Sequence, residues 1–254
     1  MIDIKLISIV VGGLVLVILA FFIFFIGGDN GNGYTTPTQE PVRVVIEMRD
    51  LGISDEELRR LVNSGEIPVD VTLLDLHGNQ ISDITPLQNL TELTILDLSG
   101  NYISDITPLQ NLTNLTWLWM WDNQISDIAP LQNLTNLTWL LLSYNQISDI
   151  EPLRNLVSLT TLWIFSNRIS DITPAQNLTN LTRLSLGGNQ ISDITPLQNL
   201  TNLTELTLWG NQISDIMPLQ NLANLEILAI YGNPIPPDAI AALQSALPNT
   251  AISH

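Results

Sequence analysis

The sequence predicts an α/β solenoid, a stack of short parallel strands and turns with a helix closing each end, preceded by one transmembrane helix. Two observations carry the solenoid. Asparagine recurs at 79, 101, 123, 145, 167, 189, 211 and 233, a period of 22 without an insertion or deletion, and a fixed period of this length is the signature of stacked repeats. Around each Asn stands one frame, cleanest in LTILDLSGNYISDITPLQNL at 93–112: L-x-x-L-x-L-x-x-N-x-I-S-D-I-x-P-L-x-x-L. The transmembrane helix rests on a third observation. Residues 4–26, IKLISIVVGGLVLVILAFFIFFI, hold no charge after Lys5, and as a helix they would reach about 34 Å, more than the roughly 30 Å of a bilayer's hydrocarbon core.

Taken in chain order, residues 1–3 form a cytoplasmic stub and 4–26 the span. The span is read as an uncleaved signal anchor. A removable signal peptide has an apolar stretch of about 7–15 residues ending at a small-x-small site, whereas this one continues through AFFIFFI. Lys5 is the only Lys or Arg near either end of the span, and none follows before Arg43. That bias predicts a cell membrane crossed once, with the N-terminus inside and the repeats outside. Residues 27–41, GGDNGNGYTTPTQEP, lack apolar periodicity and predict a flexible linker spanning about 20 Å r.m.s.. In the N-terminal cap, 42–70, Ser54 and Glu57 have capping-box spacing and Leu58, Leu61 and Val62 follow at helical spacing, predicting a helix over 54–64. Residues 71–233 are eight coils of 22. The C-terminal cap, 234–254, places Pro236 and Pro237 ahead of an amphipathic helix bearing Ile240, Leu243 and Leu247.

Within one coil, Leu96 and Leu98 have period two and point to one face of a strand, while Ile103, Ile106, Leu109, Leu112 and Leu115 fill the rest of the interior. One coil cannot bury these side chains alone, but stacked coils can. The column Asn precedes the turn away from the strand, where its amide can both donate to and accept from buried backbone groups. In the fifth coil Ala175 stands where the others have Leu.

This frame resembles leucine-rich repeats, and the 22-residue form with N-x-I-S-D-I-x-P-L is similar to the internalin-like repeats of bacterial surface proteins. The resemblance covers about 71–233. It implies a horseshoe with a concave parallel β-sheet, 3₁₀ turns on the convex side and helical caps, and it implies a binding scaffold far more than any one ligand.

Composition excludes several functions. With eight Lys plus Arg and a net charge of −17, nucleic acid is not expected as a partner. The chain has no Cys, hence no disulfide, thiolate metal site or cysteine nucleophile. Its two histidines, His77 and His254, are not grouped by any other feature, and no H-E-x-x-H, G-x-S-x-G or phosphate-binding glycine loop occurs, so neither catalysis nor a cofactor is expected. Asp83, 105, 127, 149, 171, 193 and 215 form a second column. They are read as acceptors for backbone N–H groups at the start of each 3₁₀ turn, the competing reading being a Ca²⁺-binding carboxylate ladder. Nine N-x-[ST] matches, from Asn89 to Asn202, are in register with the repeat and are read as turn residues before glycan acceptors.

Three tryptophans crowd WLWMW at 117–121. Counting back from each column Asn, positions −5 and −3 face the core, so −6, −4 and −2 face the concave side. Those positions hold all six tryptophans of the chain, Trp117, Trp119, Trp121, Trp139, Trp163 and Trp209, together with Phe165 and Tyr231. Strand propensity and a core reserved for Leu explain the facing. They leave unexplained why Trp117, Trp119, Trp121, Trp139, Trp163 and Phe165 gather in three adjacent coils, within about 10 Å of stack. Half-exposed, that cluster makes a patch of several hundred Å², the size that marks a binding site. These eight aromatic residues are the candidate partner-binding site. A protein partner is the first expectation, a glycan or cell-envelope polymer the second, and a passive accessory role with an idle face the third.

Overall fold

The computed structural model describes residues 3–11, 14–22 and 44–254. Its first element departs from expectation. The run predicted as one transmembrane helix is an antiparallel pair, β1 (Asp3–Val11) and β2 (Leu14–Phe22), with Val11 opposite Leu14. Hydropathy and length had favoured the helix. The local preferences oppose it, because the run is rich in Val and Ile and its middle is Gly12–Gly13, a pair that weakens helices and suits two-residue hairpin connections. No helix among the described residues is long and apolar enough to cross a membrane. Residues 23–26 and the linker 27–41 lie outside the described residues.

From residue 44 onward the chain winds into stacked coils. The eight predicted strands are present as β4 (Leu73–Asp75), β5 (Ile95–Asp97), β6 (Trp117–Trp119), β7 (Trp139–Leu141), β8 (Thr161–Trp163), β9 (Arg183–Ser185), β10 (Glu205–Thr207) and β11 (Ile227–Ala229). Two more were not anticipated, β3 (Val45–Glu47) and β12 (Ala251–Ser253), because three residues are too few to show a period. All ten pair in parallel in chain order, each repeat strand with the residue 22 positions on, as in Leu96 opposite Leu118 and Leu118 opposite Leu140. The terminal coils are longer, with Val45 opposite Leu73 and Ile227 opposite Ala251, because each carries a helix where the repeats have a 3₁₀ turn. The first helix, α1 (Asp55–Asn63), starts at Ser54, whose hydroxyl accepts from Glu57 N. Glu57 does not close the capping box. Its carboxylate accepts from Arg60 instead. The second, α2 (Pro237–Ala246), buries Leu243, and Leu247 is buried just beyond it.

Every predicted interior position of the second coil, Leu96 to Leu115, is fully or almost fully buried, and the other coils repeat this. Polar ladders hold the stack in register. Asn101 Oδ1 accepts from Ile81 N at 3.0 Å, while its Nδ2 donates to Leu76 O and Leu98 O at 3.0 Å each. One amide thus joins two coils through groups that no strand ladder reaches, and all eight column asparagines repeat the arrangement. Two ladders had no forecast. Thr94, 116, 138, 160, 182 and 204 each donate a hydroxyl to the Thr carbonyl 22 residues earlier. Asn114, Asn136, Asn180 and Asn202 each donate an amide to a carbonyl of the preceding coil, so four of the N-x-[ST] asparagines serve the fold.

All seven column aspartates act as turn acceptors. Each Oδ1 takes the N–H two residues on, at 2.8–2.9 Å. For Asp83, Asp105, Asp171 and Asp193, hydrogen bonding from the Thr two residues on, hydroxyl first and N–H second, holds the carboxyl below its usual range. A carboxyl whose pKa is lower in the fold than in the unfolded chain resists protonation only while folded, so its contribution is complete above the unfolded value, about 3.9, and is lost as pH falls below it. The urea midpoint is therefore expected to fall between about pH 5 and pH 2, and a midpoint flat across that range would contradict the role.

At Ala175 the chain has compensated for the missing Leu. Ala175 is buried and so is Pro174, whereas the corresponding prolines of the other 3₁₀ turns are only half-buried. The turn has closed partway over the gap. Ala175→Leu is expected to raise Tm, by less than the roughly 2–5 kcal/mol of an uncollapsed Leu deletion; an unchanged or lower Tm in thermal denaturation would contradict this.

Candidate binding face on the sheet

Strand alternation positions the aromatic residues. In β6 Leu118 is fully buried while Trp117 and Trp119 on either side are not, and the alternation runs on through buried Met120 to Trp121. All eight predicted site residues lie on the sheet face turned away from the core. They are less open than the sequence suggested: Trp163 at 36% and Tyr231 at 48% are exposed, but Trp117, Trp119, Trp121, Trp139, Phe165 and Trp209 are half-buried. The reason is mutual cover. Trp117 stacks on Trp139 at 5.3 Å and on Trp119 at 6.0 Å between ring centroids, distances at which aromatic pairs attract.

The structure also regroups the set. Trp121 does not join its neighbours in sequence but meets His77, two coils away, at 5.2 Å. Phe165 reaches Trp209 at 6.2 Å, and Trp209 lies parallel to Tyr231 at 6.1 Å, so a second group of rings reaches from the fifth coil to the eighth, beside the group formed by Trp117, Trp119 and Trp139. Sequence reasoning missed Tyr144, 53% exposed and edge-on to Phe165 at 5.1 Å, and His77. A signal for this regrouping was available: the −2 column reads His77, Ser99, Trp121, Ser143, Phe165, Gly187, Trp209, Tyr231, so that small residues alternate with large ones that lean across them.

Gly187 makes the packing testable. A Cβ built there would lie 2.3 Å from Cε2 and Nε1 of Trp209, far inside van der Waals contact. Gly187→Ala is expected to dislodge Trp209 from between Phe165 and Tyr231 and to change the near-UV circular dichroism with the far-UV spectrum intact. Identical near-UV spectra would contradict that seat.

Charge accumulates at the N-terminal end of the face. Glu47, Asp75 and Asp97 stand opposite one another in β3, β4 and β5, and Trp119 follows Asp97 in register. Arg49 pairs with Asp75 at 2.8 Å and approaches Asp97 at 3.7 Å. Burial pushes the Asp97 carboxyl up, and the neighbouring Asp75 adds to this, against the hydrogen bond from Ser99 N. Trp119 Nε1 and the hydroxyls of Ser99 and Ser143 are buried without a hydrogen-bond partner.

The backbone is strained beside the aromatic cluster. The residue before each column Asn has positive φ. Five of the eight coils place Gly there, at 78, 100, 188, 210 and 232, but the third, fourth and fifth place Asp122 (φ 57°), Tyr144 (φ 54°) and Ser166 (φ 55°). A non-glycine residue in this region costs about 1–3 kcal/mol, less for Asp.

Comparison with known proteins agrees with this architecture. The family model described as leucine-rich repeats (2 copies) matches residues 71–111, 113–155, 135–177, 157–199, 179–221 and 201–245. Comparison with curated proteins finds no match. Among solved structures, internalin C2 of Listeria monocytogenes is 41% identical with a TM-score of 0.67, over 73% of this chain and 80% of that one. A leucine-rich repeat protein of Leptospira interrogans shares the fold, at 22% identity and TM-score 0.70, over 82% of this chain and 60% of that one. The plant peptide hormone receptor RGFR1, in complex with RGF2, is 28% identical with a TM-score of 0.62, over 72% of this chain and 31% of that one. The chain belongs to the leucine-rich repeat family, in its internalin-like form.

Proposed function

We propose that this protein is a membrane-anchored, extracytoplasmic binding module that recognises a protein partner through the aromatic sheet face. The observation that carries the proposal is the set of rings from Trp117 to Tyr231 on one face of a rigid stack, Trp163 and Tyr231 exposed and the half-buried ones held by neighbouring rings, Trp121 by that of His77. Indoles fixed by stacking lose little freedom on binding, which is how a small number of aromatic side chains supplies most of an interface's affinity. A protein is favoured over a glycan by the acidic groups beside the rings, Asp97, Asp122 and Glu205, which suit a partner with a basic rim. The solved receptor complex with RGF2 is consistent with this use of the fold.

The membrane anchor rests on the 23-residue apolar run of residues 4–26. In hydrocarbon a two-stranded pair leaves edge N–H and C=O groups unpaired, and a helix pairs them all; on this proposal the run takes the helical form only in lipid.

Two experiments test these proposals. Full chain purified in detergent is expected to retain one protein from envelope extracts, and Trp119→Ala with Trp163→Ala to lose it; undiminished retention would sink the role of the face. Protease shaving of intact cells is expected to remove the repeats, and their survival would contradict the topology.

A further inference from the structure

We propose that Asp122, Tyr144 and Ser166 form a specificity-setting rim along the aromatic face, and that this rim takes an Arg or Lys side chain from an extended polypeptide partner; the proposal rests on the binding role argued above. The backbone supplies the first argument. Five coils meet the positive φ before the column Asn with glycine, so the fold needs no side chain at that position. Non-glycine residues there occur only in the third, fourth and fifth coils among the eight, which also hold five of the six tryptophans. Strain kept where the fold does not require it marks residues retained for what they contact.

Chemistry supplies the second. Asp122 and Tyr144 are exposed, and Tyr144 stands edge-on to Phe165 at 5.1 Å. The basic residues on this face are already engaged, Arg49 with Asp75 and Asp97 and Arg183 with Glu205 at 3.8 Å, and among the described residues Asp122 is in no ion pair. A free carboxylate beside aromatic rings attracts a cation through charge and through the ring faces together. Between Trp121 and Phe165 in the −2 column lies Ser143, 2% exposed, its hydroxyl without a partner. From Asp122 to Ser166 the rim runs about 10 Å, the length of about three extended residues, and the chain's net charge of −17 draws a basic segment toward it.

The test titrates the indole fluorescence of the full chain in detergent with short peptides of repeating Arg-Gly, Glu-Gly or Ser-Gly. The proteins compared are wild type, the triple variant Asp122→Gly, Tyr144→Gly, Ser166→Gly, which keeps every tryptophan, and Trp163→Ala. Wild type is expected to give a saturable response to Arg-Gly alone. The triple variant is expected to bind that peptide at least tenfold more weakly, with Tm unchanged or raised by about 2–4 °C. The proposal is overturned by no response of wild type to Arg-Gly, by an equal response to Glu-Gly or Ser-Gly, by undiminished binding in the triple variant, or by a fall in its Tm. If Trp163→Ala loses the response and the triple variant does not, the rim fails and the binding face stands; if neither loses it, both fail.

Discussion

Asn101→Ala is expected to destabilise the solenoid by about 2–6 kcal/mol, a large change for a single substitution outside the apolar core. Asn101 is 5% exposed, and its removal strands Ile81 N and takes one of two amide donors from each of Leu76 O and Leu98 O, which keep Asn79 and Asn123 respectively, at about 0.5–1.5 kcal/mol for each bond lost. Each buried group left unpaired costs about 1–3 kcal/mol. Because each coil leans only on its neighbours, a break between the first and second coils also uncouples the N-terminal cap from the rest, and urea unfolding is expected to become two-phased. Asn101→Asp separates the donor role from the acceptor role. It retains the acceptor for Ile81 N but faces two carbonyls with a carboxylate, which raises the carboxyl's pKa in the fold. Protonation then favours the folded state, so the stability of this variant is expected to rise as pH falls, opposite in sign to the aspartate column. A loss below about 1 kcal/mol for Asn101→Ala, within the range of a surface substitution, would mean that the ladder is not what holds the coils in register.

The second large effect is on binding. Trp163 is the most exposed of the tryptophans and stands in β8 at the centre of the stack, beside Leu141 and Ser185 in register. A central indole truncated to alanine costs an interface about 2–4 kcal/mol, a loss of about 30- to 1,000-fold in affinity. Trp163 faces away from the core, so Trp163→Ala is expected to change Tm by little. An affinity loss without a stability loss is the signature of a contact residue; the reverse pattern would place Trp163 in the scaffold. Calorimetric titration with the retained partner, alongside thermal denaturation, reads both.

Most of the fold was legible because one sequence frame is repeated eight times. Position −3 is Leu or its equivalent in every coil, the column Asn never shifts, and each column Asp stands two residues before the N–H it accepts. What escaped had no such redundancy. The strands at Val45–Glu47 and Ala251–Ser253 exist because a neighbouring strand offers them an edge, a tertiary cause that three residues do not disclose. The N-terminal run was misread as a helix in the described structure because hydropathy says how apolar a segment is and not which dihedrals it prefers; Gly12–Gly13 carried that information.

The site was half legible. Facing follows from period two, so Trp117, Trp119, Trp121, Trp139, Trp163, Phe165, Trp209 and Tyr231 were placed on the correct face. How far each is exposed depends on which ring leans over which gap, and that is set across coils: Trp209 is seated by Gly187, 22 residues before it, and Trp121 by His77, 44 residues before it. Tyr144 was overlooked because the position before the column Asn is usually glycine, and its departure from glycine is the signal that finds it.

The claim that the aromatic face is the binding face is tested most directly by hydroxyl-radical footprinting of the full chain with and without its retained partner. Trp117, Trp139, Trp163 and Tyr231 are expected to be protected in the complex, while Tyr102, 57% exposed and off this face, stays fully reactive. Protection of Tyr102 with the four face residues unprotected would contradict the account.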